Sequence, residues 1–276
     1  MLRGFYGAAS GMITQQRQTE MLNNNLANAE TPGYKGEQGS IRAFPEMLIQ
    51  AQGTNAQPGN IPYTVGSMNT GVYMQEQTPN FAQGDMRETG NNTDLAIQQG
   101  DLPINEETDR PGALFFTVAN EDGDVRYTRN GNLTVDGEGF LTTAQGYYVL
   151  DEDGDPMNVE NEFFDVDEAG NITDEDGAAV GQLNVVLAEQ PEDLVKEGDG
   201  LFALDDEEAE PLPTAIGAED VDYTINQQML EQSNIDPQQA MTDLMQSQRT
   251  FESNQTVLQA YDQSMELAVS EVGRLQ

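Results

Sequence analysis

The chain has no cysteine and no histidine, and its only lysines are Lys35 and Lys196. Without cysteine there is no disulfide framework and no thiolate chemistry. Without histidine the usual general base and the commonest metal ligand are both missing. No segment approaches the roughly 18 to 20 apolar residues of a membrane span, and Met1 to Gly11 lacks the charged start and apolar core of a secretory signal. The expectation is a protein that does not insert into membranes and whose export, if any, uses no cleaved Sec signal. Basic residues are equally scarce, 11 Lys and Arg against 49 Asp and Glu, which argues against nucleic acid as a partner.

The acids are unevenly placed. Residues 1–42 are near neutral, with Glu20, Glu30 and Glu37 against Arg3, Arg17, Lys35 and Arg42. Residues 225–276 are mildly acidic. Most of the negative charge lies between 43 and 224, opposed there only by Arg87, Arg110, Arg126, Arg129 and Lys196. A strongly charged middle reads as an exposed body, and two spared ends read as surfaces that pack closely. So acidic a surface also suits a salty or alkaline habitat.

From Asp236 to Gln276 the pattern is a heptad. One core position is always apolar: Leu244, Phe251, Leu258, Met265 and Val272. Counting from Met241 assigns the companion position to Met241, Gln248, Gln255, Asp262 and Val269. This predicts one helix roughly 60 Å long, N-capped by Asp236 with Pro237 at its first position. The polar companions weaken a private two-stranded zipper and suggest a bundle interior. An ordinary amphipathic helix lying on the chain's own body is the alternative. At the other end, Leu2, Phe5, Ala9, Met12, Ile13, Leu22 and Leu26 recur at helical spacing, predicting a second helix from Leu2 to about Ala29 that stops at Thr31-Pro32-Gly33. Asn23, Asn24, Asn25 and Asn28 are poor helix formers. They mark either a fraying end or amides that bond laterally in an assembly.

Between the helices, Ile41 to Ile49 reads as a short helix broken by Pro45, residues 53–62 as a loop, and Val72 to Gln75 and Asp94 to Ile97 as extended. From Leu114 the period becomes two. Short strands at 114–119, 125–129, 133–135, 140–143, 147–150, 163–166, 183–188 and 201–204 alternate with turns such as Asp136-Gly137-Glu138-Gly139. The acidic run 205–210 reads as a solvated loop. The fold class is therefore α+β: terminal helices forming a coiled-coil-like layer, with a central all-β domain. Its expected divisions are 1–42, 43–224 and 225–276.

Chemistry-bearing constellations are few. Asp151 to Asp155, with Glu162 at position twelve, imitates a calcium loop, but Pro156 stands where the sharp turn needs glycine. No carboxylate stands apart in an apolar frame as a raised-pKa acid would. Arg126 and Arg129 flank Tyr127 and read as surface or interface ion-pair partners. No phosphate loop is present, and no catalytic residue, metal ligand or cofactor is assigned.

Four stretches carry a resemblance: AASGM from Ala8, NNNLANAETPGYK from Asn23, RYTRNGNLTVDGEGFLTTAQGYYVL from Arg126 and QRTFESNQTVLQAYDQSM from Gln248. Together they make the chain similar to the flagellar basal-body rod and hook proteins of the FlgF/FlgG type, above all to FlhO-like rod proteins of Bacillus-type bacteria. The resemblance implies a structural subunit whose two terminal helices line a hollow tube with the β region outside. It implies copies of itself and other rod and hook subunits as partners, and delivery by the flagellar type III export apparatus. The implied assembly residues are Leu2, Phe5, Ala9, Met12, Ile13, Leu22, Asn24, Leu26 and Asn28, with Met241, Leu244, Phe251, Leu258, Met265, Val269 and Val272. In many rod proteins a tight turn joins the segments equivalent to Asp94–Ile97 and Phe115–Val118. Here a longer stretch with Pro103 and Pro111 intervenes, which leaves proximal and distal rod positions both open. A hook-type subunit, or a secreted acidic calcium-binding β-domain protein, is the alternative.

Overall fold

A computed structural model describes residues 2–51, 63–105, 110–120, 123–204, 211–218 and 220–273. Both the loop expected at 53–62 and the acidic run 205–210 lie outside the described residues. The chain forms two compact units: residues 1–26, 37–78 and 236–276 make one, and residues 27–36 with 79–235 make the other. These divisions differ from the expected ones at 42 and 224, because residues 43–78 gather with the helices and residues 225–235 with the β body.

The first unit holds α1 (Leu2–Ala27), β1 (Glu37–Ala43), β2 (Met47–Ala51), β3 (Tyr63–Met68), β4 (Val72–Pro79) and α2 (Pro237–Gly273). The short helix expected at 41–49 is instead the end of β1, a break and the start of β2. Pro45 removes a donor that a helix would need, whereas antiparallel partners are available: β1 pairs with β4, and β2 with β3. Asp236 caps α2 as expected, with its Oδ1 accepting the Gln238 N–H at 2.8 Å and the Gln239 N–H at 3.3 Å. Asn25 is the asparagine whose role becomes visible. Its amide is buried and makes a two-way pair with the Glu37 backbone, donating to the carbonyl at 2.8 Å and accepting from the N–H at 2.9 Å. The end of α1 is pinned by that pair rather than frayed.

The second unit is almost entirely β. In chain order it contains β5 (Met86–Glu88), β6 (Leu95–Gln99), β7 (Ala113–Ala119), β8 (Val125–Thr128), β9 (Leu133–Val135), β10 (Leu141–Thr143), β11 (Tyr148–Val149), β12 (Asp165–Val166), β13 (Asn171–Thr173), β14 (Ala179–Gln182), β15 (Val185–Ala188), β16 (Leu194–Gly198), β17 (Leu201–Leu204), β18 (Tyr223–Gln227) and β19 (Met229–Glu231). The main sheet runs β16-β17-β8-β7-β11-β10-β9, with β15 also on β7. β12, β13 and β14 make a three-stranded sheet, and β6 pairs with β18 and β5 with β19. Strand β7 is the spine, because Leu114, Phe116 and Val118 enter one core while Ala113 and Phe115 enter the other. Phe115 closes an aromatic trio with Phe81 and Phe202, ring centroids 5.5 to 5.6 Å apart.

One loop chemistry builds five of the hairpins, four of them with an aspartate. Asn120, Asp136, Asp151, Asp167 and Asp174 each accept, on a side-chain oxygen, the N–H four residues on at 2.8 to 2.9 Å. In each, the glycine three residues on donates to the same residue's carbonyl and takes a φ between 78° and 91°. A short polar side chain at the first position and a glycine at the left-handed one are what this turn demands.

Candidate functional site

Two features stand out, one in each unit. In the first, α1 and α2 run antiparallel in a heptad register. Met21 and Leu22 pack with Leu244 and Met74. One stretch earlier in α1, the Ser247 hydroxyl donates to the Gln15 backbone carbonyl at 3.0 Å and sits 3.1 Å from the Thr19 hydroxyl. A Cβ added at Gly11 would lie 2.8 Å from Asn254 Nδ2, and one at Gly4 would collide with the Tyr261 ring. Each step of seven along α1 is thus met by a step of seven back along α2, and the glycines leave room for the side chains of Asn254 and Tyr261.

The α2 face turned to α1 therefore reads Ala240, Leu244, Ser247, Phe251, Asn254, Leu258, Tyr261 and Met265, buried or half-buried throughout. This corrects the companion series. The expected series from Met241 is displaced by one residue, or about 100° around the helix, and looks away from α1. Met241 is 52% exposed and Val269 73% exposed. The true companions are small or polar, so hydrophobicity did not betray them. Gln248 and Gln255, with Phe251, Gln16 and Thr19, line an open groove along the pair.

On α1, Leu22 is buried, Phe5, Ala9, Met12, Leu26 and Asn28 are half-buried, Asn24 is exposed, and Ile13 is 57% exposed. The side chains of Leu2 and Val272 lie outside the described residues. The structure thus brings Leu22 to Leu244, while Ile13, Met241 and Val269 remain at the surface of the single chain.

In the second unit, Thr31-Pro32-Gly33-Tyr34 forms a tight turn, the Tyr34 N–H donating to the Thr31 carbonyl at 3.3 Å. Proline's fixed φ suits its second position, and Gly33 at φ 68° its third. The turn delivers two side chains inward. Tyr34 lies under Lys196, whose Nζ is 3.8 Å from the ring centre. Lys35 reaches Glu231 Oε1 at 2.7 Å and the Ala82 carbonyl at 2.9 Å. The other oxygen of Glu231 accepts from Arg129 Nε at 2.6 Å, and Arg129 also donates to the carbonyls of Leu114 at 2.6 Å and Ile97 at 3.0 Å. All three charged side chains are almost wholly buried.

Two cations thus face one carboxylate. Burial, and then the neighbouring Arg129 charge, lower Lys35 to about 8 against the opposing pull of Glu231. For Glu231 burial acts upward, but the Arg129 and Lys35 charges and their hydrogen bonds outweigh it and hold its carboxyl below the ordinary range. The shifts differ in character because Arg129 already balances Glu231, so Lys35 is the surplus charge. Arg129 is therefore a correction. Expected at a surface or interface like Arg126, which does pair with Glu197 at 2.6 Å, it is instead 3% exposed. Nothing in a linear reading marked it, since the carboxylate it pairs with lies 102 residues further along the chain.

A carboxylate tied to two cations and the Gly84 N–H is a structural keystone rather than a free acid. Asp151 is similarly committed, its Oδ1 accepting the N–H groups of Asp153 at 3.0 Å and Asp155 at 2.9 Å.

Comparison with known proteins bears on both features. Residues 5–35 match the family described as Flagella basal body rod protein, residues 111–173 Flagellar hook protein FlgE/F/G D1 domain, and residues 226–270 Flagellar basal body rod FlgEFG protein C-terminal. The chain is 42% identical to the flagellar hook-basal body complex protein FlhO of Bacillus subtilis, over the whole of both chains. It is 32% identical to the flagellar basal-body rod protein FlgF of Caulobacter vibrioides, covering 100% of this chain and 98% of the relative. Against the rod protein FlgF of Salmonella typhimurium the identity is 31%, with coverages of 94% and 92%. The first match ends at Lys35, the second contains Arg129 and the third Glu231, so the buried triad joins matched segments that are far apart in the chain.

Proposed function

The chain belongs to the flagellar basal-body rod protein family, and from that premise we propose that it polymerises through its terminal helices into a hollow helical tube that transmits rotation. Its coarser role follows directly from membership: it is a structural subunit of the flagellar basal body, assembling with other rod and hook subunits. One observation carries the finer reading. The helix pair covers one face of each helix and leaves Ile13, Met241, Met245, Val257, Leu267 and Val269 exposed. Burying such side chains stabilises by about 1.5 to 3 kcal/mol each, so a repeating lattice of neighbours is their natural cover. A head-to-tail contact that does not close generates a helical array.

In this reading the acidic β unit faces outward, no residue is catalytic, and subunits reach the rod through the flagellar type III export apparatus. Among the described residues no helix is long and apolar enough to cross a membrane. The test is electron microscopy of basal bodies from cells lacking the gene, with swimming scored. Rods that are missing or stop short support the reading, and the stopping point gives the subunit's position. Complete rods bearing hooks and filaments refute it.

A further inference from the structure

The chain passes between its two compact units four times, after Leu26, Gly36, Thr78 and Ile235. Within the β unit, three of these passages meet at one side chain. Asn234 Oδ1 accepts the Gly36 N–H at 2.9 Å, and its Nδ2 donates to the carbonyls of Asn80 at 2.7 Å and Ala82 at 3.1 Å. The Asn80 N–H closes the triangle by donating to the Gly36 carbonyl at 2.8 Å. Three residues earlier, Glu231 repeats the reach, touching Lys35 on one segment and the Gly84 N–H at 2.8 Å on another. Glycines allow the approach: a Cβ at Gly36 would lie 2.8 Å from Ile235 Cγ1, and one at Gly84 would collide with the Gln232 carbonyl.

We propose that Asn234, backed by Glu231, is a clamp that gathers three covalent passages into a single joint, so that load passing along the chain is shared among them. The chemistry requires an amide. Only a side chain with an acceptor and two donors on one short stem can hold an N–H on one segment and carbonyls on another. Aspartate keeps the acceptor but sets a negative oxygen against two carbonyls. The inference rests on the reading of the protein as a load-bearing rod subunit, although the geometry itself does not depend on that reading.

The experiment uses the full chain, purified and in cells, with Asn234→Asp and Asn234→Ala. Lys35 is buried beside the clamp, so tryptic cleavage after Lys35, read by mass spectrometry, reports its opening. The clamp predicts cleavage about tenfold faster in both variants, the worth of the hydrogen bonds lost, with the thermal unfolding midpoint of the β unit lowered by no more than about 5 °C. It also predicts rods that assemble but cells that slow disproportionately in viscous medium. Unchanged cleavage and unchanged swimming under load overturn the clamp and leave the rod assignment standing. Global unfolding of both variants also overturns it, because Asn234 would then serve folding and not the joint. Complete rods in cells lacking the gene refute the rod assignment separately.

Discussion

At the scale of single residues, the buried triad has one carboxylate for two cations, and its titration differs from that of an ordinary ion pair. Lys35 loses its proton near pH 8 in the folded chain against 10.5 when free. Between those values the unfolded chain binds more protons, so the free energy of unfolding rises with pH across that window. The cost of keeping Lys35 charged is present in full below about pH 8. Denaturant midpoints taken from pH 7.5 to 10.5 should therefore climb for the native chain relative to Lys35→Met, and a constant difference between the two would refute the assignment. Glu231 behaves oppositely. Its carboxyl is held low, so its stabilisation is complete above the unfolded carboxylate range and is lost as pH falls through its folded value. Removing that charge with Glu231→Gln leaves Lys35 and Arg129 buried without an anion. It should cost about 3 to 5 kcal/mol by chemical denaturation, with part recovered when Lys35→Met is added.

At the scale of elements, the α1–α2 pair depends on what its seam lacks. At Gly4 and Gly11 the side chains of Tyr261 and Asn254 fill the space a Cβ would need. Gly11→Leu should separate the helices, lowering the helical signal and exposing α2 to protease, whereas Gly7→Ala, where a Cβ meets nothing within 4 Å, should gain helical stability by up to about 1 kcal/mol. If both behave alike in circular dichroism melts, the register given above is wrong. The turn that follows α1 is equally constrained. Gly33 combines a left-handed φ with a Cβ position that overlaps the Arg129 backbone, so Gly33→Ala should destabilise the β unit by about 1 to 3 kcal/mol.

At the scale of the whole molecule, the apolar positions that α1 and α2 do not cover predict a separation of folding from assembly. Met241→Glu together with Val269→Glu places charge on surfaces exposed in the single chain. The purified variant should melt like the native protein. In cells it should fail to enter basal bodies, as judged by immunoblot of isolated rods. Normal incorporation would show that these side chains face solvent in the rod. The acidity has a whole-molecule meaning too, since five hairpins spend Asn or Asp on holding their own turns. Part of the negative charge is therefore a consequence of how the β unit makes corners.

The amino-acid order by itself determined the two terminal helices, the Asp236 cap, most strands of the main sheet and the family. These rest on local signals: heptad spacing, period-two alternation, turn residues and the motif ending at Lys35. Weak local signals failed where partners were distant. β5, β18 and β19 are short, and they are strands because β19 finds β5 and β18 finds β6 across more than a hundred residues. The segment 41–49 became strand for the same reason. Only the tertiary structure decided which turn of α2 meets α1, because Ala240, Ser247 and Asn254 carry no hydrophobic signature. It alone brought Lys35, Arg129 and Glu231 together. Desolvation makes that meeting consequential, and burial is a property of the folded chain that no residue carries in its own type.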